Sequence, residues 1–192
     1  MVDGGLQVKN FSTALYILKT LDKKTASSEE TLKLFLAYTR ADVKLLEIGL
    51  KEMNELPPQI QVKPIMGAIA LLQELRKSHQ LVLVTAGSVI FQKAKWENAG
   101  IDSKVFSKIA IATNGVKKIY YEQILREFHA KPAETIVIGD RVKKDLKPAK
   151  DLGCLTIHMK WGRGRLAEGT SGVIDYAISN LNEIQEILMR KL

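Results

Sequence analysis

Cysteine is almost missing from this 192-residue chain, with Cys154 alone. That excludes an internal disulfide and a zinc site built from cysteines. Its apolar neighbours, Leu152 to Ile157, mark it as a small core residue. Aromatic residues are also scarce, at 6%, and none interleave with basic residues as stacked-base recognition requires. No apolar run approaches the roughly 20 residues that span a bilayer. The start, Met1-Val-Asp-Gly-Gly, has neither a basic n-region nor an apolar h-region, so no signal peptide is expected. Repeats and low-complexity segments are absent as well. A cytoplasmic location is expected, with no membrane partner.

What is present is a 46% hydrophobic content and a formal net charge of +8, enough for one core domain with a small insert. The positive charge has a location. Arg141 to Arg165 contains eight Lys/Arg and two Asp, a net of +6. Positive potential beside a cleft favours anionic substrates, although any single lysine there reads as solvated surface. Nucleic-acid binding rests on net charge alone and is not expected. Salt-dependent binding to random-sequence DNA would measure it.

Residues 11–55 carry only helical patterns. Phe11, Leu15, Ile17 and Leu18 begin the first. Ser27-Ser-Glu-Glu30 supplies caps and acids for a second. Val43 to Met53 gives a third, stopped by Pro57-Pro58. From Val62 the pattern changes to alternating helices and apolar strands. Pro64 suits the first turn of a helix running through Ser78. Strands are predicted at 81–85, 108–112, 135–138, 155–158 and 175–178, with helices near 89–99, 120–128, 144–152 and 181–189. Such alternation implies a three-layer α/β/α fold around a parallel sheet, with right-handed crossovers.

Three strand ends carry candidate chemistry. After Ile136-Val-Ile138 comes Gly139-Asp140, then Asp145. The glycine is read as permitting a sharp turn, and the spacing as returning Asp145 to the same opening at a helix start. Two carboxylates outside the carboxyl end of a parallel strand can take Mg²⁺, or be a turn residue and a helix-start residue with no further role. Thr85 ends the strand predicted at 81–85. Its hydroxyl and the amides of Ala86 and Gly87 suit phosphate oxygens. Lys117, with Lys118 as alternative, precedes a helix and suits a phosphate charge. Singly, Thr85 and Lys117 read as ordinary structural residues. His158 alternates with Ile157 at a strand end and reads as structural. Gly162-Arg-Gly-Arg165 reads as a flexible, solvated basic loop.

Taken in order, hydroxyl, lysine and paired aspartates resemble motifs II, III and IV of the haloacid dehalogenase-like (HAD) hydrolase superfamily. The stretches are Leu81-Val-Leu-Val-Thr-Ala-Gly-Ser, Lys117, and Gly139-Asp140 to Asp145. The resemblance covers residues 62–189, and residues 11–60 stand where the family inserts a helical cap. It implies a HAD-like Rossmannoid core at 1–10 and 61–192, and a Mg²⁺-dependent phosphatase acting on a small phosphorylated metabolite through an aspartyl-phosphate. It assigns Asp140 and Asp145 to the metal, Thr85 to the phosphate, and Lys117 to the phosphate and nucleophile. Asp3 becomes general acid/base and a metal ligand if the first motif is otherwise complete. The dehalogenase branch fits less well, because the Gly-Asp-x4-Asp pair suits a metal-dependent phosphatase.

The first motif departs from the family. An apolar strand ending in Asp-x-Asp-Gly-Thr is usual, and this chain has Met1-Val-Asp-Gly-Gly-Leu6. Asp3-Gly4 matches the second aspartate and its glycine, Met1 falls at the nucleophile, and the preceding strand is absent. That strand is central in the family's sheet, so its two neighbours are expected to lack a partner. Leu6 to Asn10 fits the slot poorly. A strand from a second copy, in a homodimer, is another way to fill it. A truncated enzyme and a non-catalytic binding or regulatory module remain the two alternatives, and little or no phosphatase activity is expected of the chain as given.

Overall fold

The computed structural model describes residues 10–25, 27–55, 62–166 and 172–190. The chain divides into two compact units, Met1–Leu56 and Pro57–Leu192. Among the described residues no helix is long and apolar enough to cross a membrane.

The first unit holds α1 (Phe11–Asp22), α2 (Ser28–Thr39) and α3 (Leu45–Glu55). The starts of α1 and α2 are each set by a side chain. Asn10 accepts the Thr13 amide at 3.0 Å and Ser27 the Glu30 amide at 3.2 Å, relieving donors that a helix leaves without partners. Phe35 and Leu36 form the buried centre, packed by Ile17, Leu18 and Leu21 of α1 and by Leu45 and Leu46 of α3. Thr25 and Thr31 are buried beside them and share a hydroxyl hydrogen bond.

The second unit alternates: α4 (Ala68–Leu75), β1 (Val82–Ala86), α5 (Val89–Asn98), β2 (Lys108–Ala112), α6 (Lys118–Glu127), β3 (Ile136–Gly139), α7 (Lys147–Lys150), β4 (Leu155–Met159), β5 (Tyr176–Ile178) and α8 (Glu183–Met189). Every strand pairing among the described residues is parallel. Ile157, Met159, Ile178 and Ile184 fill the core on one sheet face, with Leu71 and Leu75 of α4. Tyr121, Ala149 and Cys154 fill the other. Side chains as completely buried as Leu146, Ile157 and Ile178 each contribute about 1.5–3 kcal/mol from burial.

Two expectations are corrected. The helix expected from Pro64 begins at Ala68, because Gly67 at φ 82° starts it from a left-handed position. The segment expected as a helix over 144–152 is a π-helical turn, Val142–Leu146, that tightens into α7.

The strands form two hydrogen-bonded pieces, β1-β2 and β3-β4-β5. Among the described residues, none pairs with the outer edge of β1 or of β3. The direction of those edges follows from the ladder. Leu81 C=O and Gly87 N–H bond toward β2, so the alternating Val82, Val84 and Ala86 present their backbone groups outward. On β3, Thr135 C=O bonds toward β4, so Ile136 and Ile138 face outward. The two pieces nevertheless share packing, since Val84 of β1 and Val137 of β3 both contact the Tyr121–Ala149–Cys154 cluster. Ile138 is left 41% exposed, unusual in a strand of this apolar character.

Candidate functional site

The end of β3 sets the site. Gly139 is not in a left-handed conformation, and its lack of a side chain serves a different need from the sharp turn expected of it. A Cβ there would lie 2.7 Å from both Cβ and Oδ2 of Asp145. The glycine therefore lets Asp145 fold back onto the strand end. The π-helical turn brings it there, with the Asp145 amide donating to Arg141 C=O at 2.7 Å.

Asp145 is only 6% exposed. Its Oδ1 accepts Lys117 Nζ at 2.7 Å and its Oδ2 accepts the Arg141 amide at 3.1 Å. A buried charge is stable only with such partners. The ion pair ties the loop after β2 to the turn after β3. It also separates the two lysines, since Lys117 is engaged and Lys118 is exposed at the start of α6. Tyr121 lies near enough that burial, and then the Asp145 charge, raise its phenol well above the ordinary value.

Asp140 is half-buried beside this pair. Burial first, and then the charge of Asp145, push its carboxyl up, against a lowering by Arg141, its own backbone amide and Lys117. The segment 162–166, expected as a solvated loop, is a 3-10 turn pressed onto Asp140. A Cβ on Gly164 would sit 1.7 Å from the Asp140 carbonyl oxygen, and one on Gly162 would lie 3.4 Å from Asp140 Oδ2. Gly164 is buried, which a freely solvated loop would not require.

Thr85 is the last residue but one of β1, where its hydroxyl donates to Gln92 Oε1 at 2.9 Å. Gln92 Nε2 donates to Ala86 C=O at 3.0 Å. The Gly87 amide, at φ 132°, donates to Ala112 C=O at 3.2 Å, and the Ala86 amide points to the outer edge of β1. The structure therefore joins Lys117 to Asp145, stands Asp140 beside them, and engages Thr85 with Gln92. Asp3 lies outside the described residues.

Three contributors carry little sequence signal. Gln92 is one polar residue in an unremarkable helix start. Gly164 is concealed in a basic stretch. His158, 1% exposed, is paired in register with Gly139, so its ring shares the sheet face on which Asp145 lies. Its Nε2 has no hydrogen-bond partner among the described residues.

The fit for Mg²⁺ follows from the donor set. Two carboxylates, one destabilised by the other's charge, favour a divalent cation. Among the described residues no group of three or more His, Cys, Asp or Glu could hold a metal. Mg²⁺ suits such a set, because it is usually held by one or two carboxylates with water and phosphate oxygens completing six ligands. Asp140 is the freer of the two, as Asp145 already holds Lys117.

A family model for haloacid dehalogenase-like hydrolases matches residues 14–153. The chain belongs to the haloacid dehalogenase-like hydrolases. Within the family, glyceraldehyde 3-phosphate phosphatase of Methanocaldococcus jannaschii is 29% identical over 98% of this chain and 84% of its own. The protein of the same name from Pyrococcus furiosus is 30% identical over 68% of this chain, which spans a little over half, 56%, of that relative. HAD-like solved structures repeat the fold. The predicted phosphoglycolate phosphatase of Haemophilus somnus superposes with a TM-score of 0.71 at 14% identity, over 97% of this chain and 86% of its own. The HAD-hydrolase YfnB of Bacillus subtilis, bound to magnesium, gives 0.68 at 21% identity, with the same coverages of 97% and 86%. At these identities the structures speak for the α/β Rossmannoid fold.

Proposed function

We propose that the second unit carries the phosphate- and Mg²⁺-binding part of a phosphatase site for small phosphate esters, with the three-helix unit as its cap, in a cytoplasmic protein. The observation that carries this reading is the buried Lys117–Asp145 pair, 2.7 Å long, beside a second carboxylate, Asp140, at a strand end. A fixed cation next to a metal-binding carboxylate suits a phosphoryl group, whose transfer depends on positioning and charge stabilisation. Asp145 orients the lysine. Asp140 would hold Mg²⁺, which when bound would neutralise phosphoryl charge. Thr85 would donate to a phosphate oxygen. The names of the curated relatives support a three-carbon phosphate ester such as glyceraldehyde 3-phosphate as the substrate class.

A second reading has one specific observation behind it. In the resemblance to the family's first motif, Met1-Val-Asp-Gly-Gly, Met1 falls at the nucleophile's position, and a thioether forms no acyl phosphate. The same site would then bind a phosphate ester without turning it over. The experiment measures both properties on the 192-residue chain with saturating Mg²⁺: inorganic phosphate release from glyceraldehyde 3-phosphate, and its binding by calorimetry. Binding that disappears in Lys117→Met supports the site, and the presence or absence of release divides enzyme from binding module. Absence of both binding and release would overturn the phosphate reading.

A further inference from the structure

Several groups that a phosphate would use at this site are already engaged within the chain. The Gly87 amide continues the β1-β2 ladder to Ala112 C=O. Lys117 is ion-paired to Asp145. A threonine hydroxyl has a single proton, and Thr85 gives its proton to Gln92 Oε1 at 2.9 Å. Toward an incoming anion Thr85 then presents lone pairs, which repel it. Gln92 also lies against Gly87. Its Nε2 holds Ala86 C=O at 3.0 Å and lies 2.9 Å from where a Cβ on Gly87 would be. These partners differ in how readily they leave. Releasing Gly87 breaks a sheet hydrogen bond, and releasing Lys117 leaves a buried carboxylate uncompensated. Releasing Thr85 needs rotation of one glutamine side chain, which also gives up its bond to Ala86 C=O but leaves the backbone of the first turn of α5 fixed by the Gln92 amide on Ser88 C=O at 2.9 Å.

We infer that Gln92 is a displaceable latch on the phosphate-binding hydroxyl, a positioning residue that holds Thr85 and yields its proton only to a stronger acceptor. The inference rests on the phosphate reading of the site. A dianionic phosphate oxygen is such an acceptor, because charge-assisted hydrogen bonds are roughly twice as strong as neutral ones. A neutral ligand oxygen has no advantage over the glutamine amide. The latch thereby selects for anions at the strand end while adding to the cost of binding them.

The test compares wild type, Gln92→Met, Thr85→Val and the double variant for inorganic phosphate affinity at fixed Mg²⁺ by calorimetry. Methionine keeps length and helix propensity and lacks the amide. Gln92→Met is expected to bind phosphate about fivefold more tightly, the equivalent of one net hydrogen bond. In the Thr85→Val background the same change gives no gain, since there is no proton to release. Independently of any variant's folding, the Gln92 side-chain amide resonances of the wild type shift as phosphate is titrated in. If wild type binds phosphate and Gln92→Met binds it equally or more weakly, or if the Gln92 resonances stay fixed at saturation, the latch is overturned and the phosphate reading stands. If none of the four proteins binds phosphate, both fall.

Discussion

Asp140 is a residue whose environment works against its charge. With its carboxyl pushed up, the ionised form weakens the folded state above the carboxylate range and not below it. Asp140→Asn is therefore expected to raise Tm at neutral pH by about 2–4 °C, an advantage that shrinks as the pH falls through the raised titration range of the Asp140 carboxyl and is gone below about 4. Mg²⁺ stabilises the fold it binds, so it should raise the wild-type Tm and affect Asp140→Asn much less. Thermal scans with and without Mg²⁺ measure both effects. Gly139 makes the opposite case, as a residue with no room for change. Gly139→Ala must push the Asp145 side chain away and is expected to cost about 1–3 kcal/mol, read by denaturant titration. Its lesson for sequence reading is physical. The glycine before an aspartate was legible as important, but the neighbour that requires it lies six residues on and reaches it only through a π-helical turn. Gln92 was not legible at all, since nothing local ties a glutamine in a helix to the hydroxyl seven residues before it.

At the scale of elements, the strands were the legible part. Continuous apolar runs at 81–85, 108–112 and 135–138 placed β1, β2 and β3 within a residue. A buried parallel strand has few other ways to be written. Helix starts fared less well at Gly67, where backbone conformation rather than side-chain pattern decides. The junction of β4 and β5 adds a polar clamp that periodicity could not show. Asp175 accepts Lys150 Nζ at 2.6 Å, the Thr156 amide at 2.8 Å and the Thr156 hydroxyl at 3.1 Å. Burial would raise the Asp175 carboxyl, but these hydrogen bonds and the lysine charge outweigh it and hold the carboxyl below its ordinary value. The sign gives stability above the carboxylate range that is lost as pH falls through it. Asp175→Ala should destabilise by about 2 kcal/mol at pH 7, and the difference from wild type should narrow below about pH 4, as denaturant titrations at the two pH values would show. The outer edges of β1 and β3 give a second expectation. Outward amides, Val84, Ala86 and Ile138, should exchange with solvent hydrogen faster than the inward Thr85 and Val137. Uniform protection along β1 would show that its outer edge is paired.

For the molecule as a whole, family and fold were legible because three motifs fall at three strand ends in the order a parallel sheet imposes. The state of the sheet's middle was legible only as an expectation drawn from Met1-Val-Asp-Gly-Gly. Among the described residues β1-β2 and β3-β4-β5 are separate ladders, and residues 1–9, on which that expectation falls, lie outside them. This division has a consequence for cooperativity. Backbone ladders normally make a sheet melt as one object, and among the described residues the two pieces are joined by side chains: the Tyr121 cluster with Val84 and Val137, and the Lys117–Asp145 pair. Each piece has its own optical reporter, since the two tryptophans are Trp96, on α5 after β1, and Trp161, just beyond β4. Urea titrations of Trp161→Phe and Trp96→Phe, each leaving one reporter, are expected to give separate midpoints, and Lys117→Met should move them further apart. Coincident midpoints would mean that the two pieces are coupled as tightly as a shared strand would couple them.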